Sequence, residues 1–529
     1  MRAKINILFL LCFLSSLYSF SQTLLFPQEY IFDQYKNAST YTLFSKDTLQ
    51  STSLFPNRNI QPIDFDKTNF YKESRKWFAR KCFQDNLVIV DKLDTLAGEV
   101  NRFRFSADPL FNFQYGKTNE VDASTCYTNT RGIIARFGVN NNFYFETAFI
   151  ENQSTFLSYI DDAVINSKEV LGQGRWKTFK KTGYDYAMAS GVLWWKPAKC
   201  FEIYLGHGKQ KIGNGYRSLL LSDQSFNYPY ARFDFNIDKA HIKYTSTYAL
   251  LMNTSATANA NTSQYTPPGT EVLLQKKPFS YQYISWTPHK RFSIAAFQGI
   301  VWQPSDARNK LNVGLDFVNP LIYTSTAIYG FDSHPKIVLG ADLNIKILRN
   351  LQLYAQYAFD GKKTLYDNKT GYGIQGGIKW FDAFTLKNLF IQGELNMYRN
   401  NLYAINSKNC ITNYSHYSNL LTLPAYGENG NELVGIAAYR FKRIMFSGKG
   451  NFLFYSFNSA TAIQRKYITS LDTKLSVIVN PKTNMNISIG ALSRNFNTLS
   501  LKQLFKKGAY DQMIYVSFKT SLYNTYFDF

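Results

Sequence analysis

From residue 101 onward the chain alternates apolar and polar positions in segments about ten residues long, the period expected when successive strand side chains point to opposite faces. Ile337, Leu339, Ala341, Leu343, Ile345 and Ile347 fall on one face, and Gly340, Asp342, Asn344 and Lys346 on the other. After a short turn at Leu348 to Asn350, Leu351, Leu353, Ala355, Tyr357 and Phe359 oppose Gln352, Tyr354, Gln356 and Asp360. The next hairpin sets Tyr372, Ile374, Gly376, Ile378 and Trp380 against Gln375, Gly377 and Lys379, then Leu389, Ile391, Leu395 and Met397 against Gln392, Glu394 and Asn396. A third runs over Leu433–Arg440 and Ile444–Phe457, with Ile444, Phe446, Phe452 and Phe454 alternating with Ser447, Lys449 and Asn451. A helix cannot produce this period.

Such ribbons fit either a soluble sandwich or a membrane barrel, and three features favour the barrel. Short turns at Pro197–Cys200, Asp238–Lys239, Pro288–Arg291, Leu348–Asn350, Phe441–Arg443 and Asn480–Thr483 alternate with long connections such as Met252–Pro278 and Arg399–Glu432, as in barrels with short periplasmic turns and long outer loops. Trp194, Trp195, Trp286, Trp302 and Trp380 cluster near strand ends, where an interfacial belt is expected. Phe527 and Phe529 close the sequence with an aromatic-x-aromatic pattern similar to the signal read by the barrel-assembly machinery. The parity of Ile514, Val516, Phe518, Thr520 and Leu522 changes before Phe527, so a bulge near Asn524 is expected. The expected fold is all-β: a transmembrane antiparallel β-barrel of about 18 strands, within a range of roughly 16 to 20, over residues 99–529.

Residues 1–21 read as a signal peptide, with basic Arg2 and Lys4, an apolar run from Ile5 to Leu14 too short to span a bilayer, and small Ser19 and Ser21 before the cleavage point. Cys12 lacks the flanking small residues of a lipoprotein site. Residues 22–98 lack alternation, and Phe70–Phe83 has a helix-like mix, so a small, partly helical periplasmic or plug-like region is expected there. No later stretch is apolar enough for a spanning helix. The 38 Tyr and 44 Phe and the 17% aromatic content suit strands whose lipid-facing and lumen-facing residues average out.

Cys82, Cys126, Cys200 and Cys410 are widely spaced and form no CxxC pair, so no metal site is expected and free thiols are favoured over disulfides. The formal charge of +22 loses two with Arg2 and Lys4. In a secreted chain that balance points to lipid phosphates, lipopolysaccharide or acidic glycans as partners and away from nucleic acid. Catalytic signatures are missing: there is no G-x-S-x-G and no H-E-x-x-H, and His207, His241, His289, His334 and His416 have no supporting motif. Asp161 and Asp162 read as a solvated acidic pair on a loop. A non-enzymatic barrel without a cofactor follows, and a membrane hydrolase would require a His within reach of a Ser or Asp.

Two stretches break the alternation. Gly206–Tyr230 carries Lys209, Gly213, Gly215, Arg217, Leu219–Leu221 and Asp223. It reads as a loop folded inward, with glycines permitting close approach and three leucines entering a buried contact, while Lys209, Arg217 and Asp223 pair in the lumen or meet an acidic ligand. Gly172–Gly191 interleaves Arg175, Trp176, Lys177, Lys180, Lys181 and Tyr184 in the manner of sugar and phosphate sites, where rings stack on sugars and cations pair with anions. The equally open structural reading is a loop leading to the strand that ends at Trp195.

At these residues the sequence resembles a known family. GRWKTFKKTGYDYAMAS (174–190), GHGK (206–209) and GYRSLLLSD (215–223), with DPLFNF (108–113) upstream, look like the RemB-type gliding-motility outer-membrane proteins of the Bacteroidetes, themselves distantly similar to the Wzi capsule-assembly barrels. The resemblance spans most of the mature chain, and its specific part lies between Asp108 and Tyr230. It implies an outer-membrane location and a role in surface adhesion, gliding motility or surface polysaccharide attachment, with gliding or secretion machinery as further partners. It implies no catalytic residue. The alternative is an outer-membrane channel or transporter for a small anionic or glycan solute, which requires an open lumen.

Overall fold

The computed structural model describes residues 29–31, 34–35 and 88–93 and most of 100–529, leaving aside chiefly 120–124, 258–273, 306–309, 363–369, 404–412, 459–462 and 497–510. In chain order the strands are β1 (Val88–Leu93), β2 (Val100–Thr118), β3 (Thr125–Val139), β4 (Phe143–Thr155), β5 (Trp176–Phe179), β6 (Gly183–Ala198), β7 (Phe201–Gly208) and β8 (Tyr228–Ile237). They continue as β9 (Ile242–Thr257), β10 (Leu274–His289), β11 (Phe292–Val301), β12 (Lys336–Leu348), β13 (Leu351–Lys362), β14 (Thr370–Phe381) and β15 (Leu389–Arg399). The last are β16 (Ser415–His416), β17 (Asn419–Leu420), β18 (Asn429–Phe441), β19 (Ile444–Asn458), β20 (Ile463–Asn480), β21 (Met485–Phe496) and β22 (Asp511–Lys519). Two helices, α1 (Ser158–Ser167) and α2 (Thr324–Tyr329), lie in connections. None is long and apolar enough to cross a membrane.

Antiparallel pairing of sequence neighbours, closed by β2 against β22, makes an 18-strand barrel. β5 forms a side hairpin on β6, and β16 with β17 forms a separate two-stranded ribbon. At the seam β22 covers only Asn112–Thr118 of β2, and β1 pairs with Val100–Phe105 further along it. Because β3 occupies the other edge from Phe103 to Lys117, β1 and β22 share one edge of β2, with Ser106–Phe111 lying between their two ladders.

Burial is inverted relative to a soluble domain. Asp342, Gln356, Gln375, Glu394, Asn396 and Glu432 are buried in the lumen, whereas Ile133, Phe149, Ile374, Leu433, Ile487, Ile514 and Val516 are exposed on the outer wall. Hydrocarbon is the solvent that makes this arrangement stable, and barrel closure satisfies the backbone within it. The alternation of faces read from Ile337–Phe359 holds from Leu339 onward, whereas Ile337 is buried together with Lys336 and Val338. Short turns accept left-handed backbone at Asn140, His241 and Asn484, residue types enriched in that region, and also at Lys442.

Several expectations need correction. β22 ends at Lys519, the Thr520 N–H bonds Phe111 O at 2.9 Å, and the chain then leaves the wall for the lumen. Phe527 and Phe529 therefore do not end a strand, and no bulge at Asn524 is needed to restore parity. Trp194 is not in a lipid belt: it faces the lumen and its Nε1–H donates to Glu202 Oε2 at 3.2 Å. Trp195 and Trp286 do lie exposed on the outer wall. Asp161 and Asp162 stand on α1 rather than a loop, with Asp161 in the first turn, where a carboxylate complements the helix N-terminus. Of residues 22–98, only 29–31, 34–35 and β1 are described. Phe70–Phe83, Cys82, Cys410 and His334 lie outside the described residues. Cys200 carries a free thiol.

Candidate functional site

A barrel of this size leaves a water-wide interior unless something fills it. Here the β7–β8 connection turns inward, and Leu219, Leu220 and Leu221 are 0% exposed at the barrel centre, packed with Phe279, Tyr281, Phe297 and Tyr398 of the wall. Glycine is required on the way in. Gly213 has φ +108 and a Cβ there would collide with the Gln356 amide, while a Cβ on Gly215 would lie 2.6 Å from Glu394 Oε2. The wall then captures the loop backbone: Tyr216 N–H and Arg217 N–H donate to the two oxygens of Glu394 at 2.6 and 3.0 Å, and Leu219 N–H donates to Gln356 Oε1 at 2.9 Å. From the β15–β18 connection, the Tyr403 and Tyr414 hydroxyls donate to Leu219 O and Leu220 O at 2.5 and 2.9 Å.

Arg217 is the hub. It grips Glu432 through Nε and Nη2 at 3.1 and 2.8 Å, and its Nη1 lies 3.2 Å from Asp528 Oδ1. Asp528 belongs to the tail that follows β22, and it also meets Lys449 at 2.9 Å and accepts the Tyr216 hydroxyl at 2.8 Å. Burial opposes its ionisation, but Arg217 and Lys449 override that and hold its carboxyl well below the usual carboxylate range. Tyr526 of the tail hydrogen-bonds Asp223 Oδ1 at 2.5 Å. Residues 29–31 and 34–35 enter the same space: Tyr30 donates to Gln392 at 2.7 Å, Tyr35 to Ala438 O at 2.8 Å, and Glu29 pairs with Lys474 and Lys519 at 2.7 and 3.2 Å. Between these fillers and the wall of β2, β3 and β20–β22 remains a cavity of about 260 Å³ lined by Tyr186, Tyr216, Tyr515, Tyr523, Asn112 and Lys449.

Toward the long-loop mouth a second cluster ties the connections together. Glu169 accepts from Ser418 N–H and Asn419 Nδ2 at 3.2 and 2.6 Å, and its burial pushes the carboxyl up to about 8. Lys209 Nζ donates to Gly172 O and Asp223 O at 2.7 and 3.1 Å, and burial lowers its ammonium to about 8. His416 is lowered by burial to about 3. Met252 N–H donates to its Nδ1 at 3.0 Å, so Nε2 carries the proton and donates to Asn227 O at 3.1 Å. His207 and His289 likewise hydrogen-bond backbone groups. Among the described residues no group of three or more His, Cys, Asp and Glu is placed to hold a metal ion.

The six candidate residues thus fall into two sets. Arg175 and Lys177 are exposed on the β5 hairpin, and between them Trp176 is half-buried, set edge-on to Tyr184 at 4.7 Å. Lys209, Arg217 and Asp223 are in the inward loop, but the three do not pair as a side-chain triad: Lys209 meets the Asp223 backbone, Lys211 approaches the Asp223 carboxylate at 4.0 Å, and Arg217 bonds elsewhere. Lys209 joins the two sets by holding Gly172 O, three residues before Arg175. Sequence reasoning missed Glu432, Asp528 and Glu169. Glu394 was visible as a charge on the inward face of β15, whereas Asp528, flanked by two phenylalanines, gave no signal.

No protein-family model matches the chain, and no curated protein matches it. Several solved barrels are similar. One is Wzi of Escherichia coli, described as an outer membrane protein involved in group 1 capsule assembly and a carbohydrate-binding β-barrel, at 11% identity and TM-score 0.47, covering 78% of this chain and 83% of that one. Others are OpdO of Pseudomonas aeruginosa, at 10% identity, TM-score 0.43, and 79% and 96% coverage, and a BenF-like porin from Pseudomonas fluorescens Pf-5, at 11% identity, TM-score 0.44, and 80% and 99% coverage. A carbohydrate binder and porins are matched alike, so the task must be argued from the filled lumen and its rim.

Proposed function

We propose that this chain is a plugged outer-membrane barrel that holds an acidic surface polysaccharide at its outer rim, as part of surface polysaccharide attachment or of adhesion during gliding. The observation that carries the plugged half is the Arg217 hub, which fastens an inward loop and a tail to the wall at mid-lumen. Supporting the glycan half are the exposed Arg175 and Lys177 on either side of Trp176, where cations meet carboxylates and an aromatic face meets a sugar ring. The basic formal charge of +22 and the resemblance of residues 108–223 to gliding-motility barrels agree with it. The test is retention of acidic capsular polysaccharide by the detergent-solubilised protein. Arg175→Ala with Lys177→Ala is expected to weaken retention about tenfold and to flatten its salt dependence. Retention unchanged by both substitutions would move the site off this hairpin.

The residual cavity of about 260 Å³ favours a second reading, a slow path for a small polar solute along the β2, β3 and β20–β22 side. Planar-bilayer recording separates the two: large, stable openings belong to a channel, silence to a plug.

A further inference from the structure

In the described part of the connection from β11 to β12, residues 314–331 lie against the outside of the wall. Beneath it the outer face breaks its apolar rule. Ser246, Gln282 and Gln298 face outward on β9, β10 and β11, standing opposite one another in the ladder, and the Gln298 amide donates to Gln282 Oε1 at 3.0 Å. Amides facing hydrocarbon without partners would be strongly unfavourable, since nothing in the acyl region can hydrogen-bond them.

The connection supplies those partners. Gln282 Nε2 donates to Asn319 O at 3.3 Å, Thr326 Oγ1 donates to Gln298 Oε1 at 2.8 Å, and Trp302 Nε1 donates to Ser280 Oγ at 2.8 Å. In return the wall satisfies the connection: the Tyr248 hydroxyl donates to Val318 O at 2.9 Å and the Tyr244 hydroxyl to Pro320 O. Much of the remaining backbone is paired locally, as in Phe317 N–H to Gly314 O, Asn319 N–H to Asp316 O and Ala327 N–H to Tyr323 O. The opposite face is largely apolar, with Leu315 88%, Leu321 63% and Ile328 62% exposed; one carboxylate, Asp316, is exposed among them and accepts the Tyr329 hydroxyl.

Depth follows from the register. The connection leaves β11 at Val301, level with Phe279 and Ala249, and reaches Tyr244, five residues further down β9 toward its short turn. Five residues are about 17 Å of strand, or about 13 Å of depth at a tilt of about 40°, against an apolar band about 25 Å tall. We infer that residues 315–328 form a strap embedded in the bilayer beside the barrel, hydrogen-bonded toward the wall and apolar outward except at Asp316, whose carboxylate is held by the Tyr329 hydroxyl, with the acyl chains of surrounding lipid as its partner. Continuity with the lipid-facing belt selects that partner. The strap restores an apolar surface where the wall has Ser246, Gln282 and Gln298, between bare apolar patches at Phe235 and Ile294.

The test places nitroxide labels at Leu315→Cys, Leu321→Cys and Ile328→Cys, one at a time, with the native cysteines replaced by serine and the full chain in phosphatidylcholine vesicles. Heat-modifiable gel mobility certifies the folded barrel. Collisions with oxygen are expected to exceed those with a water-soluble nickel chelate severalfold, as at the wall control Ile374→Cys. Nickel dominance, as at the turn control Lys199→Cys, would overturn the inference in favour of an aqueous loop. Protection from both reagents with spin–spin broadening would overturn it in favour of a second copy. Should the labelled variants not fold, Leu321→Trp read by brominated-chain lipids decides the same question: added emission that is quenched supports the strap, and added emission that is not refutes it.

Discussion

Replacing Arg217 by alanine should release the plug without opening the wall. The guanidinium is about 1% exposed, as is Glu432, and the two share bonds at 2.8 and 3.1 Å. Asp528 would keep Lys449 and the Tyr216 hydroxyl, so its charge stays compensated. Glu432 would keep only the amides of Asn396 and Asn451, at 3.0 and 2.8 Å, and no cation. Breaking a buried pair from one side costs about 3–5 kcal/mol because a charge is stranded, and the stranded charge here is Glu432. The wall ladders are untouched, and Glu394 still holds the two backbone N–H groups, so the loss should appear as easier opening of the loop and tail. Urea unfolding in detergent micelles, followed by tryptophan emission, should show an early transition that precedes loss of heat-modifiable mobility, and planar bilayers should show intermittent conductance. Arg217→Met with Glu432→Gln leaves no charge stranded and should regain most of the loss. A cost under about 1 kcal/mol for Arg217→Ala, or a double variant no better than the single, would refute the idea that this pair pins the plug.

Three further outcomes follow from the same geometry. Burial pushes the Glu169 carboxyl up to about 8 from its ordinary 4.5, so the folded state keeps a proton that the unfolded state releases. Stability then falls as pH rises from 4.5 to 8, by at most about 5 kcal/mol, and levels off above; melting curves of Glu169→Gln should lose that slope while the bonds from Ser418 and Asn419 persist. Deleting residues 522–529 removes Tyr526 and Asp528 but leaves the Thr520 to Phe111 closure, so the chain should refold in micelles to a heat-modifiable barrel that conducts more than the full chain. Gly213→Ala imposes a side chain at φ +108 against the Gln356 amide, and it should destabilise the inward loop by about 1–3 kcal/mol, seen as faster proteolysis within 209–227.

How much of this could be read beforehand depends on which solvent each face meets. Hydrocarbon is uniform and forbids unpaired polar atoms, so it imposes one rule on every outward position, and the parity of Ile337–Phe359 disclosed strand, face and partner directly. The lumen imposes no such rule. Its polar residues must match particular fillers, and whether Glu394 faces water or the N–H groups of Tyr216 and Arg217 is decided by a segment 177 to 178 residues distant in sequence. The inward loop was legible only because it contradicts its surroundings, with glycines at Gly213 and Gly215 beside three consecutive leucines, a combination that neither a strand nor a solvated loop rewards. The tail was misread for the converse reason. Its aromatics continue the composition of β22, and composition does not distinguish a ring facing lipid from one packed on Tyr159 inside the barrel, as Phe529 is. The same limit governs Ser246, Gln282 and Gln298, which look in sequence like lapses in the outward pattern. A lapse that recurs at opposed positions on three neighbouring strands is better taken as a demand for a covering segment, and in this chain the connection that answers it carries Leu315, Leu321 and Ile328 on its far side.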